Sequence, residues 1–184
     1  MTHRSDKALI KRILTGDREA CVELVARYHA PIYRLLGHLC RDNHLAEDLT
    51  QETFLAAWAK IDTFNAASSL NTWLHTIAYR KFIDAHRRRT RTVTTQNDAL
   101  IDRAQSNSPS PYERALANEA SRRLYRALDR LKPAERDVVV LHYLQGLSYE
   151  EVAGVLAEPT GTVKWRTRQA IERLRTALEV KSEK

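Results

Sequence analysis

Cysteine, glycine and proline are all scarce in this 184-residue chain, which holds two, five and five of them. Two cysteines, Cys21 and Cys40, cannot staple a secreted disulfide scaffold, so a reducing cytoplasmic setting is expected. No run approaches the roughly 20 apolar residues of a membrane span, so no membrane insertion is expected. The opening Met1-Thr2-His3-Arg4-Ser5-Asp6 has no apolar signal-peptide core. Also missing are a Gly-rich phosphate loop, a C-x-x-C or H-x₃-H pair and a nucleophile–base arrangement, which argues against an enzyme and against any cofactor. Cys21, His38, Cys40 and His44 could be drawn as a cluster, but their spacing is not that of metal ligands, and no metal is expected. A free cysteine usually packs as a small apolar residue.

What the chain does have is helical periodicity and an uneven basic charge. The formal net charge is +7 and the isoelectric point is near 9.6. Residues 1–92 carry 15 Lys/Arg against 10 Asp/Glu, residues 93–113 carry 1 against 3, and residues 114–184 carry 14 against 10. Two basic units flanking an acidic connector favour a polyanionic partner. Apolar residues recur every three or four positions, giving an all-α fold of two small helical domains. The expected division is 1–92, a linker over 93–112 with Pro109 and Pro111, and 113–184.

In the first domain, Ala8, Leu9, Ile13 and Leu14 mark a short helix ending near Gly16. A long one follows from Arg18 through Leu39, interrupted by Pro31. Asp42 or Asn43 can cap the next helix. There, Asp48, Gln51, Leu55 and Trp58 share one face, while Leu45, Leu49, Ala56 and Ala59 share another, expected to pack inward. The loop 62–71 is small and polar, and Ser68 or Ser69 can cap a helix carrying Leu70, Trp73, Leu74 and Ile77. Small side chains with amides and hydroxyls suit an extruded base, although a plain solvated turn has the same composition. Trp73 shares its stripe with Leu70 and Ile77, which favours a core role over a wedge. Tyr79, Arg80 and Lys81 precede Arg87-Arg88-Arg89-Thr90-Arg91, interleaving aromatic and basic residues as nucleic acid requires.

In the second domain, Ala117, Ala120, Leu124, Leu128 and Leu131 form an apolar stripe. Pro133 opens a helix whose buried face is Val138, Val139, Leu141, His142 and Leu144, and Gly146 closes it. Ser148 and Glu151 have capping-box spacing. Thr160 can cap a final helix with an inward stripe of Val163, Thr167, Ala170, Leu174 and Leu178. A short acidic helix, a tight turn and a basic helix describe a helix-turn-helix. Thr160, Thr162, Lys164, Trp165, Arg166 and Arg168 then face phosphates or base edges.

The run Ala46-Glu47-Asp48-Leu49-Thr50-Gln51-Glu52-Thr53-Phe54, followed by Trp58, Thr72-Trp73-Leu74, Ile77-Ala78 and Asp84, resembles region 2 of the extracytoplasmic-function (group 4) sigma factors of the sigma-70 family. Residues 131–178 resemble region 4 of the same family. The resemblance implies core RNA polymerase as partner, bound at the β′ clamp helices through Asp48, Gln51, Glu52, Leu55 and Trp58 and at the β flap through region 4. It implies −10 promoter DNA recognised and opened by Asn65, Ser68, Ser69, Asn71, Trp73, Tyr79, Arg80, Lys81, Arg87 and Arg88, and −35 DNA read by the helix-turn-helix residues named above. An anti-sigma factor is a further implied partner. Leu74 stands where primary sigma factors carry a second Trp, implying a factor that demands a close promoter match. Trp165, Thr167, Gln169 and Ile171 depart from the family pattern, leaving the −35 sequence open. The rival reading is a stand-alone helix-turn-helix regulator on a palindromic operator.

Overall fold

Among the residues described by the computed structural model, 2–95 and 119–179, every regular element is helical. The chain divides into two units, residues 1–109 and 110–184. Of the expected linker, 93–95 still belong to a helix that runs to Thr95. The remainder, with Ala117 of the expected stripe, lies outside the described residues, as do the side chains of Arg91 and Ala120.

The first unit contains α1 (Thr2–Leu14), α2 (Arg18–Cys40), α3 (Asn43–Ala59), a 3₁₀ turn (Ile61–Thr63) and α4 (Leu70–Thr95). Asp17 starts α2 by accepting from the Glu19 and Ala20 amides at 2.9 and 3.1 Å. Pro31 sits inside α2 without ending it. Asp42, rather than Asn43, caps α3 through the Leu45 amide at 3.2 Å. Helices α2, α3 and α4 pack on one another, and Leu24, Ile32, Leu35, Leu36, Leu49, Leu70 and Leu74 fill the space between them. Truncating one of these to Ala would cost roughly 2–5 kcal/mol. Helix α1 is held to α2 by a buried hydroxyl–carboxylate bond, Tyr28 donating to Asp6 Oδ1 at 2.8 Å.

The inward stripe of α3 differs from the expected one. Ala46, Leu49, Thr50, Thr53, Phe54 and Ala57 are buried, whereas Ala59 is exposed and Leu45 and Ala56 are partly so. The two threonines explain the rotation. Their hydroxyls donate to the Ala46 and Leu49 carbonyls at 2.6 Å each, so they enter the core with their polarity satisfied.

The second unit contains α5 (Glu119–Leu128), α6 (Pro133–Val139), a π-helical segment (Val140–Leu144), α7 (Tyr149–Leu156) and α8 (Thr160–Glu179). Helix α8 is the spine, touching α5, α6 and α7. The π segment corrects the expectation of one regular helix closed by Gly146. Val138, Val139, Val140 and Leu141 are all buried, and a regular 3.6-residue turn would turn one of four successive residues outward. After Val139 the turn widens, the Gln145 amide donating to the Val140 carbonyl at 3.0 Å. His142 and Leu144 remain only partly buried, and His142 stacks on Tyr149 at 4.1 Å. Gly146 does close the element, at φ 72°.

Candidate nucleic-acid and partner interfaces

On α3, Asp48, Gln51, Leu55 and Trp58 are all exposed. Leu55 is 63% exposed and Trp58 37%, large apolar side chains left uncovered on a helix whose other face is full. Together with Val25 and His29 of α2 and with Thr50, Gln51 and Phe54, they line a groove of about 280 Å³. Val22, one turn before Val25, is 69% exposed and extends the apolar edge. The contribution of α2 was missed from sequence. Its signal was present: once Ala20, Leu24, Tyr28, Ile32, Leu35 and Leu36 are assigned inward, Val22, Val25 and His29 remain as an unexplained second stripe.

Glu52 is not in the groove. Its carboxylate takes the Lys81 ammonium at 3.0 Å, linking α3 to α4. Lys81 is thereby separated from the other basic residues of α4. Trp73, Arg80 and Arg87, seven residues apart, lie within about 40° of one another on the solvent side. Arg80 and Arg87 are exposed and Trp73 is partly buried, in edge-to-face contact with Phe64 at 5.5 Å. Arg88 and Arg89 are exposed, and Arg89 also approaches Asp42 at 3.9 Å. Tyr79 is half-buried, its ring 6.1 Å from Phe82.

The loop before α4 is shaped by its own side chains. Asn65 Oδ1 accepts from the Ala67 amide at 3.0 Å, around Ala66 at φ 57°. Ser69, of the two expected serines, caps α4 by accepting from the Thr72 amide at 3.0 Å, and its hydroxyl meets that of Thr72 at 2.7 Å. Ser68 is half-buried, its hydroxyl 3.4 Å from the Ser69 carbonyl, and Asn71 lends its carbonyl to His75 Nδ1 at 2.8 Å. Phe64, not singled out from sequence, closes the loop against Trp73.

In the second unit, α7 and α8 are joined by the three residues 157–159. Ser148 and Glu151 form the expected capping box, at 3.2 Å and 2.9 Å. Ala157 adopts the left-handed conformation, φ 54°, and the Glu158 amide returns to the Ala153 carbonyl at 3.0 Å. Thr160 is the first residue of α8 rather than its cap, and Thr160 and Thr162 are half-buried. Val163, Thr167, Ala170 and Leu174 point inward as expected, but Leu178 is 42% exposed. Outward lie Lys164, Trp165 and Arg168. Lys164 pairs with Glu150 at 3.6 Å and lies 5.7 Å from the Tyr149 ring centre. Arg166 is largely covered and bound to Glu158 at 2.6 Å.

No group of three or more His, Cys, Asp or Glu that could hold a metal occurs among the described residues, and none of their helices is long and apolar enough to cross a membrane. Cys21 and Cys40 form no disulfide: they lie near opposite ends of α2, about 28 Å apart along its axis, too far to pair within the folded unit.

Comparison with known proteins agrees with this geometry in both units. Residues 24–92 match sigma-70 region 2 and residues 127–176 match sigma-70 region 4. The chain is 35% identical over 167 residues to the ECF RNA polymerase sigma factor SigE of Mycolicibacterium smegmatis, covering 89% of this chain but 65% of that longer protein. It is 30% identical over 179 residues to SigW of Bacillus subtilis, covering 94% of this chain and 96% of that one. Among solved structures, the sigma factor RpoE of Bartonella quintana, in complex with the anti-sigma factor NepR, is similar with a TM-score of 0.70 and 29% identity over 86% of this chain and 96% of that one. With both regions matched in order and a relative at 30% identity covered over nearly its whole length, the chain belongs to the ECF RNA polymerase sigma factors, alternative sigma factors that direct promoter-specific initiation of transcription.

Proposed function

We propose that this chain is a group 4, cytoplasmic sigma factor that works as two separate grips joined by a connector after Thr95. The first unit holds core RNA polymerase by the α2/α3 groove, with Gln51, Leu55 and Trp58 as anchors and Asp48 at the rim. It engages −10 DNA with the loop 65–71 and the Trp73/Arg80/Arg87 face of α4. The second unit engages −35 DNA with the outward face of α8 and is the part that would meet the β flap. The chemistry of RNA synthesis stays with polymerase; this protein supplies position and sequence choice.

The observation that carries the reading is the groove. Large apolar residues at the centre of a concave surface, with polar residues at the rim, are the composition of a protein–protein hot spot. The β′ clamp helices are the partner this shape suits, since an amphipathic helix lays its apolar ridge into such a groove. The structure of RpoE with NepR supports an anti-sigma partner for this chain as well.

Replacing Leu55 with Asp, or Asp48 with Lys together with Gln51 with Ala, should reduce co-purification with core polymerase at least tenfold while circular dichroism is unchanged. All these side chains are exposed, so the fold does not depend on them. Undiminished co-purification would remove the groove from the interface.

A further inference from the structure

We infer that Trp165 reads a thymine C5-methyl group in the −35 element, so that this sigma factor recognises one position of that element by apolar contact rather than by charge. The inference rests on the proposed −35 role of α8 and names the chemical group which that helix recognises.

Helix α8 buries Val163, Thr167, Ala170 and Leu174 on one side. At about 100° per residue, Lys164, Trp165, Arg168 and Glu172 fall on the opposite side, and all four are exposed. Trp165 lies about one and a half turns into the helix, within the N-terminal turns that a helix-turn-helix inserts into the major groove. Its indole is 63% exposed. No packing requirement explains so large an apolar surface at that place.

The neighbours sharpen the point. Cations that would ordinarily bond a guanine edge flank Trp165 on both sides, yet each is engaged within its own unit. Arg166 is held against Glu158 at 2.6 Å with its side chain only 18% exposed. Lys164 is exposed and a quarter turn away, its ammonium 3.6 Å from the Glu150 carboxylate and 5.7 Å from the Tyr149 ring centre. At the level of Trp165, the surface offered to a base pair is therefore an indole. In the major groove the one apolar feature that distinguishes base pairs is the thymine methyl. Arg168, exposed one turn on, suits a phosphate or a guanine farther along.

The probe is a duplex library randomised across the −35 element upstream of a fixed −10 region, selected with holoenzyme assembled from this chain and core polymerase. In the selected sequence each thymine is then replaced singly by deoxyuridine, which deletes only the methyl. Burying one methyl is worth about a fourfold change in affinity, so one such replacement should weaken wild-type holoenzyme roughly three- to fivefold. With Trp165→Ala the thymine and uracil duplexes should bind equally, and with Trp165→Phe the preference should survive in part. Cytosine at that position should bind better when it carries a 5-methyl group. The inference is overturned if no thymine is enriched, if every uracil replacement is silent, or if Trp165→Ala keeps the full thymine preference. A holoenzyme that enriches no −35 sequence at all would instead overturn the underlying −35 reading. Trp165 contributes nothing to the core, so helical content should be identical in all variants.

Discussion

His38 shows how one half-buried side chain ties stability to pH. Burial chiefly, with the nearby Arg34 charge in second place, lowers its pKa from 6.5 to about 4. An unfolded chain would take up this proton first as the pH falls. The folded state therefore keeps its full stability above pH 6.5 and loses it progressively toward pH 4, on the order of 2 kcal/mol after allowing for partial solvent access. His38→Asn, which cannot titrate there, should show a flatter dependence of the unfolding midpoint on pH between 7 and 4 than the wild type. Identical slopes would exclude His38 as a source of acid sensitivity. At the same scale, exposure separates residues that sequence spacing alone had grouped. Gln51, Leu55 and Trp58 line a groove while Glu52, one position along, turns to Lys81. Likewise, Arg166 turns to Glu158 while Trp165, one position before it, projects. A motif records which residue types occur together; the direction of each depends on neighbours brought from elsewhere in the chain.

The helices themselves were largely legible in the sequence, because their signals are local. Asp42, Ser69, Ser148 with Glu151, and Gly146 all act where the capping and turn rules place them. Features set by packing were not legible. The phase of α3 depended on two threonines returning their hydroxyls to their own helix, and the widened turn after Val139 has no local sequence signal. Phe64 against Trp73 required knowing where the loop folds back. One strained element lends itself to a test. Ala157 closes α7 in the left-handed region, which costs a residue with a Cβ roughly 1–2 kcal/mol. Glycine would remove that strain and add about 0.5–1 kcal/mol of unfolded-state entropy, for a net gain of about 0.5 kcal/mol. Ala157→Gly should therefore slow amide hydrogen exchange in α7 and the start of α8 about twofold, and faster exchange would contradict the strain assigned to this turn.

Across the whole molecule, charge and apolar surface divide the work. Residues 1–92 and 114–184 each carry an excess of cations while the connecting stretch is acidic, which concentrates attraction to DNA at two places. An uncovered apolar groove on the first unit lies between α2 and α3, apart from the basic face of α4, as the proposal that one unit holds both a protein and a nucleic acid requires. The central claim is that neither grip selects a promoter until polymerase holds both. The most direct measurement is a footprint of the purified chain on its selected promoter, with and without core polymerase, at matched salt. Protection of one −35 region and one −10 region, in a single orientation and only with polymerase present, is the result this account predicts. A symmetric footprint of two half-sites by the chain alone would contradict it.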